Sequence, residues 1–471
     1  MRRSWVIAGG LLFWVGCTTS MKVGDDGPGG SASESTSSST GDSSSSSSSA
    51  AVGSSSSTGS GDPCSGVACT TPDAPECISA TMLRVRLPAG TCSAGACSYP
   101  TTDVVCANGC SAGGCSMGPT PTTLSACGVQ TCAAVAGGVQ CWGNHGWDAL
   151  DFTLVPIAKD LVPTNIVSIG LGVQNACAIG DLGALVCWSR NNLGQLGDGT
   201  QTDTDIPVTP VGLSSGVAAV ASSGTHTCAI TFDGSVLCWG SNSYGEIGPH
   251  AAMGFLAIST VPVGVLGPGS AVAVSLGERH SCALTPAGSV KCWGNNDNGA
   301  LGDGTTTWST LPVDVVGLSS GVVAISSAND QTCAVLATGG LRCWGYNSAG
   351  QLGNGSQTGS AVPVDVIGLS SGVIAVAVGA EHTCALLSTG AVKCWGYNEV
   401  GQLGNAVVNV SPAPVDVNGL PSAAVAIAAG NEHSCATLAN GKIMCWGFNG
   451  SGQLGNNSTV SSFVPVEVVG F

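Results

Sequence analysis

The fold is decided by a repeated unit whose clearest copy, from Pro363 to Gly404, reads PVDVIGLSSGVIAVAVGAEHTCALLSTGAVKCWGYNEVGQLG. This copy contains four short runs rich in Val, Ile, Ala and Cys, and Gly, Asn, Ser or Pro bounds each run. Short runs between turn-forming residues predict β-strands rather than helices. Each unit therefore supplies four strands.

The unit occurs seven times between residue 120 and the C-terminus. A Cys-Trp dipeptide marks each copy at intervals of 46 to 54 residues, with its cysteine at Cys141, Cys187, Cys238, Cys292, Cys343, Cys394 and Cys445. Four strands in each of seven repeats predict an all-β, seven-bladed β-propeller over residues 120–471, because closure into a ring leaves only short strand edges. A linear solenoid would need capping repeats at its ends, and the sequence contains none.

The ends of the repeat array suggest how the ring closes. A Pro-Val or Pro-Ile pair begins a strand after every Cys-Trp, at Pro156, Pro207, Pro262, Pro312, Pro363, Pro414 and Pro465. The first unit begins late, at Leu124, without a leading strand of this kind, whereas the last unit has one to spare. We therefore expect the C-terminal strand to complete the first blade and to close the propeller.

The repeated phrases resemble a known family. Gly-x-x-His-Thr-Cys-Ala-Leu and Cys-Trp-Gly-x-Asn-x-x-Gly-Gln-Leu-Gly are similar to the repeat of the regulator of chromosome condensation family, over about three quarters of the chain. The resemblance implies a seven-bladed propeller whose partners are proteins. It also leaves an alternative function open, guanine-nucleotide exchange as in the eukaryotic prototype, although an exported chain would not meet a cytosolic GTPase.

A second cysteine precedes each Cys-Trp by nine or ten residues. Two strands joined by a short turn bring residues at this separation opposite one another, within disulfide range. We therefore predict seven disulfides within the blades, whereas Cys127 has no counterpart and is left over. The predicted pairs are Cys132–Cys141, Cys177–Cys187, Cys228–Cys238, Cys282–Cys292, Cys333–Cys343, Cys384–Cys394 and Cys435–Cys445.

The N-terminus is typical of an exported bacterial protein. Two arginines precede an apolar run over residues 5–15, which is too short to span a membrane as a finished helix. The run ends at Cys17 in a sequence that resembles the lipobox of bacterial lipoproteins, so residues 1–17 are interpreted as a signal peptide and Cys17 as the lipidated residue. This predicts a lipoprotein at the outer membrane or cell surface, and the alternative is a cleaved signal and a secreted protein.

Two segments separate the signal from the propeller. Residues 18–62 are rich in Ser, Thr and Gly without an apolar face, which predicts a disordered linker. Residues 63–116 form a small module with eight cysteines. We expect four disulfides in this module, because so small a core needs covalent support, but the sequence does not select their connectivity. Zinc is the weaker alternative, since the segment contains no His.

Charge and cysteine content limit the partners. The formal net charge is −16, with 20 acidic residues against 7 Lys or Arg from residue 120 onward. Nucleic-acid binding requires cations that neutralise phosphates, so this balance argues against it. Twenty-four cysteines in an exported chain indicate an oxidising compartment. We expect a monomer that binds an unidentified protein, with membrane attachment only through the lipid.

The motifs that carry chemistry are absent from the sequence. It contains no nucleophile elbow, phosphate-binding loop or zinc-protease motif, so we predict no catalytic residue, no metal site and no cofactor. Four histidines recur at one repeat position, where Gln130, Asn175 and Gln331 occupy the other three units. Replacement by amides favours hydrogen bonding over metal binding. The histidines are His226, His280, His382 and His433.

Binding residues are sought in the loops that differ between copies, which lie between each Gly-Gln-Leu-Gly and the next Pro-Val. Large aromatic side chains concentrate interface energy, so aromatic residues in or beside these loops are candidate partner contacts. The alternative is local packing against the neighbouring blade. The candidates are Trp147, Phe152, Phe255, Trp308 and Phe463.

Overall fold

The computed structural model describes short strands within residues 76–115, as backbone, and residues 123–471 except 136–137, 145–151, 161, 163–164, 181–182, 250–256 and 408. The chain divides into two compact units, and residues 24–118 form one while the other contains residues 119–471. The signal peptide, Cys17 and the linker lie outside the described residues, as do Trp147 and Phe255. None of the described residues belongs to a helix of the length and apolarity needed to span a membrane.

Seven short strands are described in the smaller unit. They are β1 (Glu76–Ser79), β2 (Met82–Arg86), β3 (Thr91–Ser93), β4 (Ala96–Ser98), β5 (Thr101–Val105), β6 (Cys110–Ser111) and β7 (Gly114–Cys115). Strands β1, β2 and β5 form one antiparallel sheet, and β3–β4 and β6–β7 form two hairpins. The connectivity of the eight cysteines lies outside the described residues.

The larger unit begins with four blades, each a four-stranded antiparallel meander. Blade 1 comprises β8 (Thr123–Cys127), β9 (Gln130–Val135), β10 (Gly138–Asn144) and β11 (Phe152–Lys159). Blade 2 comprises β12 (Ile166–Leu171), β13 (Asn175–Gly180), β14 (Leu185–Ser189) and β15 (Thr204–Val208). Blade 3 comprises β16 (Val217–Ser222), β17 (His226–Thr231), β18 (Val236–Ser241) and β19 (Ile258–Leu266). Blade 4 comprises β20 (Ala273–Leu276), β21 (His280–Leu284), β22 (Val290–Gly294) and β23 (Ser309–Asp314).

Three further blades complete the array. Blade 5 comprises β24 (Val322–Ala328), β25 (Gln331–Leu336), β26 (Leu341–Gly345) and β27 (Ser360–Asp365). Blade 6 comprises β28 (Val373–Val378), β29 (His382–Leu387), β30 (Val392–Gly396) and β31 (Ser411–Asp416). Blade 7 comprises β32 (Ala424–Ala429), β33 (His433–Leu438), β34 (Ile443–Gly447) and β35 (Ser462–Glu467).

The seven blades form a closed ring. The first strand of every blade contacts the first strands of both neighbouring blades, and β32 of blade 7 contacts β8 of blade 1. First strands are therefore innermost and fourth strands outermost, which confirms the predicted seven-bladed β-propeller. The core lies between the blades, so first and second strands are largely buried on both faces and consist mainly of apolar residues.

The predicted mode of closure is wrong. Strand β35 pairs with β34 of its own blade, with Val466 opposite Cys445, and blade 1 has its own fourth strand, β11. The Pro-Val strand therefore ends each blade rather than beginning the next, and no strand is spare. The residue pattern of an outermost strand does not indicate whether the strand joins the preceding or the following blade. Its hydrogen bonds to the preceding Cys-Trp strand show that it joins the preceding blade.

Packing and hydrogen bonds join blade 7 to blade 1. The ring of Trp142 lies 5.8 Å from that of Phe471 between centroids, and Val468 is fully buried in the same apolar cluster. The hydroxyl of Thr131 lies 2.8 Å from His433 Nε2. Blades 7 and 1 thus meet through packing and hydrogen bonds between blades rather than through a shared sheet.

Seven disulfides tie second strands to third strands. Each pair lies directly opposite in the strand register, with Cα atoms 4.0–4.1 Å apart. They are the pairs that the spacing predicts, from Cys132–Cys141 to Cys435–Cys445. Cys127 is also disulfide-bonded, so the expectation that it is left over is wrong.

Removing one of these disulfides should measurably destabilise the propeller. The Cys384–Cys394 bridge spans ten residues, and for such a loop the chain-entropy model gives about 2.5–3 kcal/mol. We expect the double variant C384A/C394A to lose up to this amount in free energy of unfolding, measured by denaturation with guanidinium. Equal stability of the double variant and the parent under oxidising conditions would contradict the prediction.

Candidate functional site

The strand order gives the propeller two different faces. Connections between first and second strands and between third and fourth strands emerge at one end, which we term the loop face. Turns between second and third strands and the links from blade to blade emerge at the other end, the link face. The described loops that differ between repeats, including the one that contains Trp308, therefore belong to the loop face.

A belt of buried hydrogen bonds lies beneath the loop face. The recurring histidine or amide at the start of each second strand reaches a hydroxyl of the next blade, as in His382 Nε2 to Ser434 Oγ at 2.8 Å and Gln331 Nε2 to Thr383 Oγ1 at 2.8 Å. His226 and His280 make the same contact at 2.8 Å. Blade 2 has Ala176 at the hydroxyl position, and Gln130 Nε2 of blade 1 accordingly has no partner in the structure.

The Gly-Gln-Leu-Gly loop fastens the tryptophan of the next blade. Trp395 Nε1 donates to the Gln351 carbonyl at 2.8 Å, and the same carbonyl accepts the Thr383 hydroxyl at 2.9 Å. A Cβ on Gly353 would lie 2.6 Å from Trp395 Nε1, so only glycine admits the ring at this distance. The motif that identifies the repeat therefore joins blades and is not free to bind a ligand.

Burial keeps the four belt histidines neutral. Desolvation, together with the charge of a neighbouring histidine, lowers the pKa of His226 and of His433 to about 3. Desolvation also lowers the pKa of His280 and His382 to about 4, although Asp330 partly opposes this at His280. In the part of the chain that the structure describes, no group of three or more His, Cys, Asp or Glu lies close enough together to hold a metal ion.

The structure places three of the candidate aromatic contacts. Trp308 precedes β23 and is 47% exposed, whereas Phe152 and Phe463 are half-buried. Phe463 fills a slot between blades, because a Cβ on Gly401 of blade 6 would lie 2.6 Å from its Cα. Thr310 and Pro412 occupy the same slot in other blades. Phe463 thus packs against the neighbouring blade, whereas Trp308 is exposed, and a role in partner contact stays a prediction for all three.

Sequence reasoning missed an arrangement of carboxylates and aromatic rings on blades 5 to 7. In each of these blades the residue before the second strand is acidic and the residue after the third strand is aromatic. The backbone N–H of the aromatic residue donates to the backbone carbonyl of the acidic residue at 2.9–3.0 Å. We term the six residues the acidic arc. They are Asp330, Glu381, Glu432, Tyr346, Tyr397 and Phe448.

Three carboxylates of blades 6 and 7 act on Tyr397. Its hydroxyl donates to Glu399 Oε2 at 2.7 Å. This hydrogen bond, partial desolvation and the negative charges of Glu399, Glu432 and Glu381 raise the pKa of Tyr397 to about 12. Carboxylates from two adjacent blades therefore act on one aromatic ring. Aligning the seven copies by their Cys-Trp dipeptides would have shown both positions turning acidic and aromatic together.

Two cavities open at opposite faces of the ring. One, of about 890 Å3, opens on the link face among aliphatic side chains of blades 4 to 6. There a β-bulge exposes Val323 (42%), which a regular strand would bury. The other, of about 390 Å3, lies at the loop face and contains Arg190. The link-face cavity is lined mainly by apolar residues, whereas the loop-face cavity is lined by both polar and apolar residues.

Comparisons with known proteins identify the repeat. A family model described as "Regulator of chromosome condensation (RCC1) repeat" matches residues 183–230, 233–284, 287–335, 338–386, 389–437 and 440–471. A second model with the same description matches residues 217–246, 271–300, 373–402 and 424–453.

Two curated proteins are similar in sequence. The chain is 30% identical over 312 residues to the ultraviolet-B receptor UVR8 of Arabidopsis thaliana, which covers 65% of this chain and 70% of that protein. It is 29% identical over 366 residues to the human E3 ubiquitin-protein ligase HERC2, which covers 73% of this chain. The match spans only 7% of HERC2, so most of that protein has no counterpart here.

Solved structures share the fold. Human WBSCR16 matches with a TM-score of 0.61 at 24% identity, over 68% of this chain and 85% of that chain. Yeast RCC1 (Prp20), bound to Kap60, matches with a TM-score of 0.61 at 22% identity, over 73% of this chain and 85% of that chain. At these identities the likeness concerns the architecture alone.

Proposed function

Because the chain belongs to the regulator of chromosome condensation (RCC1) repeat family, we propose that it is a scaffold that binds a protein partner through the loop face and has no catalytic activity of its own. The family relation supports a binding or regulatory scaffold. The ligase activity in the name of HERC2 is not transferred, because this chain matches 7% of that protein. Three points go beyond the family relation: the face that binds, the kind of partner and the cellular location.

The acidic arc is the observation that carries the choice of face. The loop-face connections of blades 5 to 7 contain Asp330, Glu381, Glu399 and Glu432 and no Lys or Arg. Three aromatic residues are each joined to one of these acidic residues by a backbone hydrogen bond. Aromatic faces and carboxylates both attract cations, and rigid aromatic side chains concentrate interface energy. We therefore propose that the partner presents a segment rich in Lys or Arg, and that Trp308 lies at the edge of the contact.

The location is proposed from the N-terminal sequence. The apolar run before Cys17 supports export and lipid attachment, which would place the propeller at the outer membrane or cell surface, with secretion as the alternative. The net charge of −16 supports a protein partner rather than a nucleic acid. We propose that the chain acts as a monomer whose contact with the membrane is limited to the lipid.

The proposal is tested by removing the charges of the acidic arc from the full chain. The variant D330N/E381Q/E432Q should bind a fluorescent peptide of alternating Arg and Gly at least about tenfold more weakly than the parent, because charged hydrogen bonds and cation–π contacts contribute most of the expected affinity. Binding is measured by fluorescence anisotropy at physiological salt, where contacts between distant exposed charges are screened.

A matched control changes the net charge equally at another place. Asp314, Asp365 and Asp416 are exposed carboxylates in ion pairs of 2.6–2.8 Å with Lys291, Arg342 and Lys393. The variant D314N/D365N/D416N should bind the peptide as the parent does. Equal weakening in both variants would assign the binding to net charge, and unchanged binding in the arc variant would contradict the proposed face.

A further inference from the structure

The loop-face cavity lies on the propeller axis. Turns between first and second strands of blades 2, 3, 4, 5 and 7 line it, and so does the end of β8 in blade 1. Residues from six blades can meet only at the axis. Its volume of about 390 Å3 lies within the range of small-ligand sites. The polar residues on its walls include Gln174, Arg190, Asn192, Glu278 and Asn329.

Arg190 carries a positive charge that no carboxylate balances. Its Nε donates to Asn192 Oδ1 at 3.0 Å and its Nη1 donates to Gln174 Oε1, and both acceptors are neutral amides. Within the described part of the chain Arg190 forms no ion pair, whereas five other cations lie 2.6–3.7 Å from a carboxylate. In a chain with a net charge of −16, an arginine without a counter-ion is unusual.

The backbone beside Arg190 departs from the repeat. Ser189 has a φ of 80°, where the other six blades have glycine with φ between 86° and 109°. An L-residue in this region is strained. Blade 2 also places Gln174 and Arg190 at the two positions that carry a carboxylate and an aromatic ring in blades 5 to 7. Ser189, which replaces the glycine of the other blades, is thus the residue directly before Arg190.

We propose that the axial cavity binds a carboxylate group and that Arg190 is its principal ligand. Two of the five guanidinium N–H groups are used by Asn192 and Gln174, so the remaining donors are available to the two oxygens of a carboxylate, whose geometry they match. Arg190 belongs to blade 2, and the inference rests on residues other than those of the acidic arc.

Glu278 restricts which carboxylates fit. Its Oε1 lies 3.7 Å from Arg279 Nη2, and the Arg279 guanidinium stacks over Tyr244 at 5.2 Å, so the negative charge of Glu278 is only partly neutralised within the cavity wall. A second carboxylate on the ligand would meet repulsion there, whereas an ammonium group would be attracted. The ligand is therefore a monocarboxylate or an amino acid, or a single Asp or Glu side chain of a protein.

The experiment uses the full chain and two probes, glycine as a free amino acid and the capped peptide acetyl-Gly-Glu-Gly-amide as a side-chain carboxylate. Binding is followed by calorimetry and by the NMR signal of Arg Nε–H. We expect saturable binding of at least one probe, and a loss of about tenfold or more in R190M because the charged hydrogen bonds are removed. Preference for glycine would identify a free ligand, and preference for the peptide would identify a protein side chain.

Two controls keep the test decisive. R342M removes an arginine that pairs with Asp365 at 2.8 Å and should bind both probes as the parent does. R190K retains the charge without the planar donors and serves if R190M does not fold; it should bind more weakly than the parent. Absence of saturation by about 10 mM for both probes, or equal affinity of the parent and the Arg190 variants, would overturn the proposal. The arc variant should retain carboxylate binding, so the two proposals fail separately.

Discussion

Replacement of Trp395 by alanine is expected to lower the free energy of unfolding by about 3–5 kcal/mol. The side chain is fully buried between blades 5 and 6, and its removal leaves a cavity that Gly353 cannot fill. The Gln351 carbonyl retains the Thr383 hydroxyl as a donor, so the loss arises mainly from packing rather than from an unpaired carbonyl. Urea or guanidinium denaturation of the full chain measures the effect.

Trp308 provides the matched control for this substitution. It is the same residue type, but it is 47% exposed on the loop face, and exposed substitutions away from special contacts change stability by at most about 0.5 kcal/mol. The W308A variant should therefore unfold as the parent does, while affecting partner binding if Trp308 belongs to the contact. A comparable loss of stability in W308A and W395A would contradict the distinction between tryptophans buried between blades and an exposed tryptophan on the loop face.

The second large effect is a loss of stability in acid. The four belt histidines keep a pKa of about 3 to 4 in the folded protein, whereas a histidine in the unfolded chain has a pKa of about 6.5. Between these values the unfolded state binds more protons, so lowering the pH favours unfolding. We expect the free energy of unfolding to decrease below about pH 6.5, by up to about 1.4 kcal/mol per pH unit for each histidine.

A variant without these histidines isolates their contribution. Gln331 shows that glutamine fits the belt position, since its Nε2 reaches Thr383 Oγ1 at 2.8 Å and the Gln351 carbonyl at 2.9 Å. The quadruple variant H226Q/H280Q/H382Q/H433Q should therefore have a flatter profile of unfolding temperature between pH 6.5 and 4. Both proteins contain the same carboxylates, so the contribution of carboxylate protonation to the pH dependence cancels in the comparison. Parallel profiles of the parent and the variant would contradict the assignment.

The sequence by itself determined the features that depend on short separations along the chain. Four runs bounded by turn formers become four strands, and cysteines nine or ten residues apart become opposite partners because a short turn joins their strands. The role of the recurring histidines was predictable for a related reason. An amide can replace a hydrogen-bonding histidine, and Gln331 makes the same contact to the next blade as His382 makes.

Only the tertiary structure decided how distant parts of the chain combine. The pattern of β35 would suit the edge of blade 1 or of blade 7, and its backbone hydrogen bonds select blade 7. The acidic arc exists because turns far apart in sequence are brought side by side on one face, where Glu381 and Glu432 both act on Tyr397. The unbalanced charge of Arg190 likewise appears only when its neighbours in space are known. The spacing of residues along the chain specifies a single blade. The electrostatic contacts and the closure of the ring depend on residues that are distant in sequence and that only the folded propeller brings together.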